Sequence, residues 1–146
     1  MKTKHICVLG AGLMGVGIAT HFVRYGHDVW LYDTDSNRIA DIGAVASGIL
    51  DELIATEQFP ADDKAQAVSR LHGTTSLHDI AACGLLIEAI PERLELKHAL
   101  YAQLEALIAP EAVIASNTSG LPPDALAEKL AHPERLLIAH FWHPPH

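Results

Sequence analysis

A chain of 146 residues, 49% hydrophobic and 19% charged, is long enough to bury a core of its own without a disulfide or metal staple. Ten Lys and Arg against 18 Asp and Glu give a formal charge of −8, which argues against a nucleic-acid backbone binder, since that function needs a basic face. Two cysteines, Cys7 and Cys83, are not a secreted disulfide framework, and the sequence has no apolar run of the length that spans a membrane, so a single cytoplasmic domain with reduced, buried thiols is expected.

Lys2 and Lys4 precede a mostly apolar stretch, Ile6 to Ala19, that mimics a signal peptide. Its glycines at 10, 12, 15 and 17 are a poor composition for a helical signal core. Within it, His5–Leu9 reads as a strand buried on both faces. Leu13, Val16, Phe22 and Val23, with small Ala19, predict a helix over Leu13–Tyr25 that Gly26 stops. Val29–Tyr32 is a second strand. Asp35 or Ser36 caps a helix running to about Thr56. After Pro60, Ala61–Leu71 reads as a shorter helix, so that Asp35–Leu71 forms a helical hairpin. His72–Thr75 is a short strand and Leu85–Ile90 a buried one. Leu96, Leu100, Leu104, Leu107 and Ile108 place a helix over Glu92–Ala109, closed by Pro110. Ala112–Ala115 is a strand, Pro122–Leu130 a helix and Leu136–Ala139 a strand. The alternation predicts an α/β fold: a doubly wound parallel sheet with a helical-hairpin insertion. His140–His146 follows the last strand with nothing after it to pack there. The expectation is that residues 1–146 form one domain of a longer protein.

Gly10-Ala11-Gly12-Leu13-Met14-Gly15 matches G-x-G-x-x-G between a predicted strand and a predicted helix, as a dinucleotide-binding turn requires. Gly10 permits the tight turn, Gly12 lets the backbone approach a pyrophosphate, and Gly15 lets helix and strand pack closely. The helix start offers free N–H groups to the phosphates. Asp33, 21 residues after Gly12 (33 − 12), ends the second strand, where a carboxylate binds ribose hydroxyls. Asp35 follows, and neither position 34 nor position 35 is Lys or Arg. A 2′-phosphate would be repelled there, so NAD is the expected cofactor rather than NADP.

Ligands of such sheets bind beyond the carboxyl ends of the strands. There the sequence places Glu88-Ala-Ile-Pro-Glu92, Ser116-Asn-Thr-Ser-Gly120 and His140. Acid, hydroxyl and imidazole groups thus meet on one rim, which points to catalysis. Structural readings stand beside this one: Ser116–Ser119 as a helix cap, Glu92 as a favourable helix N-terminal charge, Lys97 as a solvated cation, and His140 as a packed strand-end histidine. His140, His143 and His146 have a spacing that invites a zinc reading. Pro144 and Pro145 prevent the helix that would gather them, so no metal is expected.

The Gly10–Ala19, Glu88–Glu92, Ala115–Gly120 and His140–His146 segments together resemble the NAD-binding domain of the L-3-hydroxyacyl-CoA dehydrogenases, in the right order across nearly the whole chain. The resemblance implies a Rossmann fold and oxidation of a 3-hydroxyacyl-CoA to the 3-ketone. Gly10, Ala11, Gly12, Leu13, Met14, Gly15 and Asp33 would hold the dinucleotide, and Glu92 and Lys97 would lie near its nicotinamide half. Ser119 would bond the substrate oxygen beside the cofactor, and His140 would be the general base. His143 stands at a cofactor-contacting position where the family has Asn. The family's Glu partner for the histidine would lie beyond His146, as would the helical C-terminal domain that completes the substrate site and the homodimer. Little turnover is therefore expected from these residues alone. Two alternatives remain: a dehydrogenase of a free 3-hydroxy acid such as carnitine or gulonate, which the few cations of the hairpin (Arg38, Lys64, Arg70) favour, and a non-catalytic NAD(H)-binding module.

Overall fold

The computed structural model describes residues 5–146, so Lys2 and Lys4 lie outside the described residues. In chain order they form β1 (Ile6–Leu9), α1 (Leu13–Arg24), β2 (Val29–Tyr32), α2 (Ser36–Ala55), α3 (Lys64–Ser69), β3 (Leu71–Thr74), β4 (Leu85–Glu88), α4 (Leu94–Glu105), β5 (Val113–Ser116), α5 (Pro123–Ala127) and β6 (Leu136–Ile138). The strands make one parallel sheet in the order β3-β2-β1-β4-β5-β6. This is the doubly wound Rossmann order.

Strand side chains alternate between faces, so each strand serves two cores. Ile6, Val8, Val29, Leu31 and Ile87 pack with Val16, Ala19 and Val23 of α1 and with Ala46 and Leu50 of α2. Cys7, Leu9, Leu86 and Ile114 face the other way, onto Leu100, Tyr101, Leu104 and Leu126. Burying each Val, Leu or Ile contributes about 1.5–3 kcal/mol. A slip of one residue would exchange the two faces, so the register is strongly specified. Both cysteines are buried free thiols.

β1 lies between β2 and β4, and the chain leaves it in one direction and returns on the other side. The connections after β1 and β4 therefore diverge, opening a crevice at the carboxyl ends of the strands.

Several predicted boundaries move. The helical hairpin is the crossover from β2 to β3, packed against α1. Its first helix is capped by Asp35, whose carboxylate accepts the Asn37 N–H at 2.9 Å. The second helix ends at Ser69, because Leu71 joins the sheet opposite Val29, and Val29 N–H donates to the Arg70 carbonyl. β4 stops at Glu88, whose side chain turns back to accept the Ile90 N–H. α4 begins at Leu94 rather than Glu92, since Arg93 is extended (φ −127°, ψ 117°). α5 spans only five residues. The segment after β6 is packed. Pro145 lies over Gly17, where a Cβ would come within 2.6 Å of the Pro145 ring, and Arg24 donates to the His146 carbonyl at 2.7 Å.

Candidate active site

The glycine turn closes the end of β1. Gly10 has φ +104°, and a Cβ there would lie 2.7 Å from the Ala89 carbonyl oxygen. A Cβ on Gly15 would sit 1.7 Å from the Gly10 carbonyl oxygen, so only hydrogen fits between the turn and α1. Gly12 differs: its Cβ direction opens into free space. Gly12 is also the N-cap of α1, no side chain caps that end, and the first turn carries no acid. The first amides of α1 therefore keep their partial positive charge for an anion. Leu13 contributes backbone only, its side chain being 70% exposed.

Asp33 is fastened on both oxygens. Oδ2 accepts the Ala11 N–H at 2.8 Å and Oδ1 the Asp35 N–H at 2.9 Å. The carboxylate is thereby aimed at the glycine turn. It borders a cavity of about 440 Å³ whose other wall is Ile90, Pro91, Leu96, Ala99 and Leu100. A polar edge opposite an apolar wall suits an adenosine. Arg38 stands 3.8 Å from both Asp33 and Asp35, a cation near the sugar position although neither 34 nor 35 is basic.

Across Ile90 lies a second cavity of about 370 Å³, lined by Met14, Glu88, Glu92, Lys97, Asn117, Ser119, His140, Trp142 and His143. Six residues singled out in the sequence (Met14, Glu92, Lys97, Ser119, His140, His143) thus meet in one place, and Asp33 borders the neighbouring cavity. Gly10 to Leu13 and Gly15 lie at the end of β1, the strand between those that carry Asp33 and Glu88.

Lys97 is not a solvated cation. It is 1% exposed, and its ammonium lies 3.1 Å from both Glu88 and Glu92. Glu88 is wholly buried at the end of β4 and accepts from Tyr101 Oη (2.8 Å), Ser116 Oγ (2.6 Å) and the Ile90 amide (2.9 Å) as well. All these partners can donate, which is what an ionised carboxylate needs. Burial, then the charge of Glu88, pushes the Tyr101 phenol well above its ordinary range. Glu92 is no helix charge, since it precedes α4. Its carboxylate accepts from Thr118 Oγ1 and from the Ser119 amide, clamping α4 to the segment after β5. Burial raises the Glu92 carboxyl, but the Thr118, Ser119 and Lys97 donors together outweigh it and hold it below the usual value. Removing one partner of the buried Lys97–Glu88 pair costs about 3–5 kcal/mol.

The Ser116–Ser119 hydroxyls do not cap a helix either, because Pro122 is the N-cap of α5. Asn117 Oδ1 accepts the Phe141 N–H at 2.7 Å and so holds the His140 segment against the end of β5. The rings of His140 and Trp142 approach to 5.1 Å. His146 folds onto α1 rather than joining His140 and His143. Among the described residues, no group of three or more His, Cys, Asp or Glu side chains is arranged to hold a metal ion.

Sequence reasoning placed Glu88 and Asn117 in the rim segments without giving either a role of its own, and it missed Tyr101. One signal was available: a charged residue ending an otherwise apolar buried strand. Tyr101, four residues after Lys97 on the same helix face, was a second.

Comparison with known proteins gives the same picture. Residues 5–146 match the family "3-hydroxyacyl-CoA dehydrogenase, NAD binding domain". A 3-hydroxyadipyl-CoA dehydrogenase of Escherichia coli K12 is 34% identical over 144 residues, 99% of this chain and 30% of that protein. A 3-hydroxybutyryl-CoA dehydrogenase of Bradyrhizobium diazoefficiens is 36% identical over 141 residues, 97% of this chain and 48% of that protein. A crystal structure of 3-hydroxybutyryl-CoA dehydrogenase from Escherichia coli K12 superposes with a TM-score of 0.92 at 33% identity, covering 99% of this chain and 31% of the other. The chain therefore spans about a third to a half of these relatives. With the glycine turn, the Asp33 carboxylate and the two cavities beyond the strand ends, these matches establish that the chain belongs to the NAD-binding domain family of the 3-hydroxyacyl-CoA dehydrogenases.

Proposed function

We propose that this domain serves an enzyme that oxidises the 3-hydroxyl of a 3-hydroxyacyl-CoA to the ketone. The observation that carries the reading is the adjacency of two unlike cavities that share Ile90 as lining, one edged by Asp33 and the other by Ser119 and His140. The residues fit NAD. The space over Gly12 and the uncapped start of α1 would take the pyrophosphate, and Asp33 the ribose hydroxyls. Gly10, Ala11, Leu13, Met14 and Gly15 complete that cradle, while Glu92, Lys97 and His143 lie toward the nicotinamide. When bound, NAD supplies the hydride acceptor. His140 takes the hydroxyl proton as the C–H bond breaks, and imidazole suits this role because it exchanges protons near neutrality. The Ser119 hydroxyl donates to the substrate oxygen. Asn117 holds His140 in place through Phe141.

We propose further that residues 1–146 are the cofactor-binding half, and that a second region, such as the relatives' additional length accommodates, completes the substrate site and a homodimer. The buried free thiols accord with a reducing, cytoplasmic setting.

A free 3-hydroxy acid is the second reading. Coenzyme A phosphates require cations, yet Arg38 is drawn to Asp33 and Asp35, and Lys64 is paired with Asp51 at 2.6 Å. An assay of NAD reduction with (S)-3-hydroxybutyryl-CoA and with L-carnitine separates the two. At least about tenfold faster turnover of the thioester is expected, and the reverse order would transfer the assignment to the free acid. The assay uses these residues together with the region that completes the substrate site, and dinucleotide binding there without turnover of either substrate would instead support a non-catalytic module.

A further inference from the structure

The Glu88–Lys97–Glu92 cluster beside the His140 cavity, buried at Glu88 and Lys97 and partly exposed at Glu92, has more acidic groups than its own pairing requires. Lys97 has one ammonium and two carboxylate partners, Glu88 and Glu92, each at 3.1 Å. Glu92 alone would satisfy it. Glu88 could be neutral if its task were only to receive hydrogen bonds from Tyr101, Ser116 and Ile90, since an amide oxygen accepts those bonds too. Instead an ionisable group sits at a wholly buried position, where water screens its field poorly. Apart from this cluster, the titratable side chains lining the cavity are two imidazoles, His140 and His143. Two acidic side chains and one basic one give the cluster a formal charge of −1 (1 − 2) beside the space occupied by His140 and Ser119.

The two redox forms of a nicotinamide differ by one charge at the ring: the oxidised ring is cationic, the reduced ring neutral. We infer that Glu88, by making the Glu88–Lys97–Glu92 cluster net negative, biases this cavity toward the oxidised dinucleotide and so favours the state that accepts hydride. The inference rests on the reading above, in which the nicotinamide occupies the His140 cavity. It makes Glu88 a positioning and charge-setting residue rather than one that touches substrate.

The test is calorimetric or fluorescence titration of the full 146-residue chain with NAD⁺, NADH and ADP-ribose, comparing the unaltered protein with Glu88→Gln. A unit charge acting on another across several Å of poorly screened protein moves an equilibrium by about tenfold. The affinity for NAD⁺ relative to NADH should fall by about that factor in the variant, while ADP-ribose, which lacks the ring, binds as before. Tyr101→Phe removes a hydrogen bond but no charge and should leave the ratio in place. Glu92→Gln removes the other carboxylate at a partly exposed position and should lower the ratio in the same direction. It carries the test if the Glu88 variant does not fold. An unchanged ratio in the charge-neutralising variants, with both dinucleotides still bound, overturns the inference and leaves the cofactor assignment standing. Saturable binding of neither dinucleotide to the unaltered chain overturns the cofactor reading and this inference with it.

Discussion

Gly12→Ala and Gly15→Ala are expected to separate folding from binding. Gly15→Ala should cost about 3 kcal/mol of stability, at the upper end for overpacking, because the new Cβ meets the Gly10 carbonyl oxygen at 1.7 Å and the carbonyl carbon at 2.9 Å. Both atoms are backbone, so relief requires α1 to move off β1, and nucleotide binding fails along with the turn. Gly12→Ala meets no atom within 4 Å. Its only folding cost is the poorer N-cap, up to about 1 kcal/mol. Yet its methyl group projects into the space proposed for the pyrophosphate, so NADH affinity should drop about a hundredfold, the scale of losing charge-assisted bonds to several amides. Urea denaturation and NADH titration of both variants check the pair. A Gly12→Ala protein that binds NADH normally would show that the phosphates do not lie against this turn.

The second large effect concerns His140. In the enzyme that carries the region completing the substrate site, replacement by Gln should lower kcat for dehydrogenation by about a hundredfold or more, the usual contribution of a positioned general base. NADH affinity should change by no more than a few fold, because the dinucleotide-gripping residues are elsewhere. His140 lies in the segment held by the bond from the Phe141 amide to Asn117, so Asn117→Ala should lower kcat in the same sense but less, with the His140 ring still present. Steady-state rates and direct binding, measured on the same samples, distinguish these outcomes. A His140→Gln enzyme with undiminished kcat would remove the imidazole from the mechanism.

Much of the fold was legible because its signals are local. The buried run Ile6–Leu9, the glycine turn and the heptad-like leucines of α4 each carry their own period, and the chain order of strands and helices follows. The acid at the end of β2 was legible for the same reason: its distance from Gly12 is set by one βαβ unit. What was not legible depends on partners distant in sequence. Lys97 reads as a surface lysine on its helix, and only the approach of β4 and of the turn before α4 supplies the two carboxylates that bury it. Leu71 reads as the last turn of a helix, and only pairing with Val29 draws it into the sheet. Ser116 and Thr118 read as cap residues, but Glu88 and Glu92 take their hydroxyls from across the site. The packing of Pro145 on Gly17 follows no local rule, since it joins two ends of the domain.

Equilibrium titration of the 146-residue chain with NADH and with NADPH tests most directly whether Gly12, the start of α1 and Asp33 hold a dinucleotide. Saturable NADH binding at least about tenfold tighter than NADPH binding is expected, since the Asp33 and Asp35 carboxylates repel a 2′-phosphate even with Arg38 at 3.8 Å. Tighter binding of NADPH, or no saturable signal from either, would contradict it.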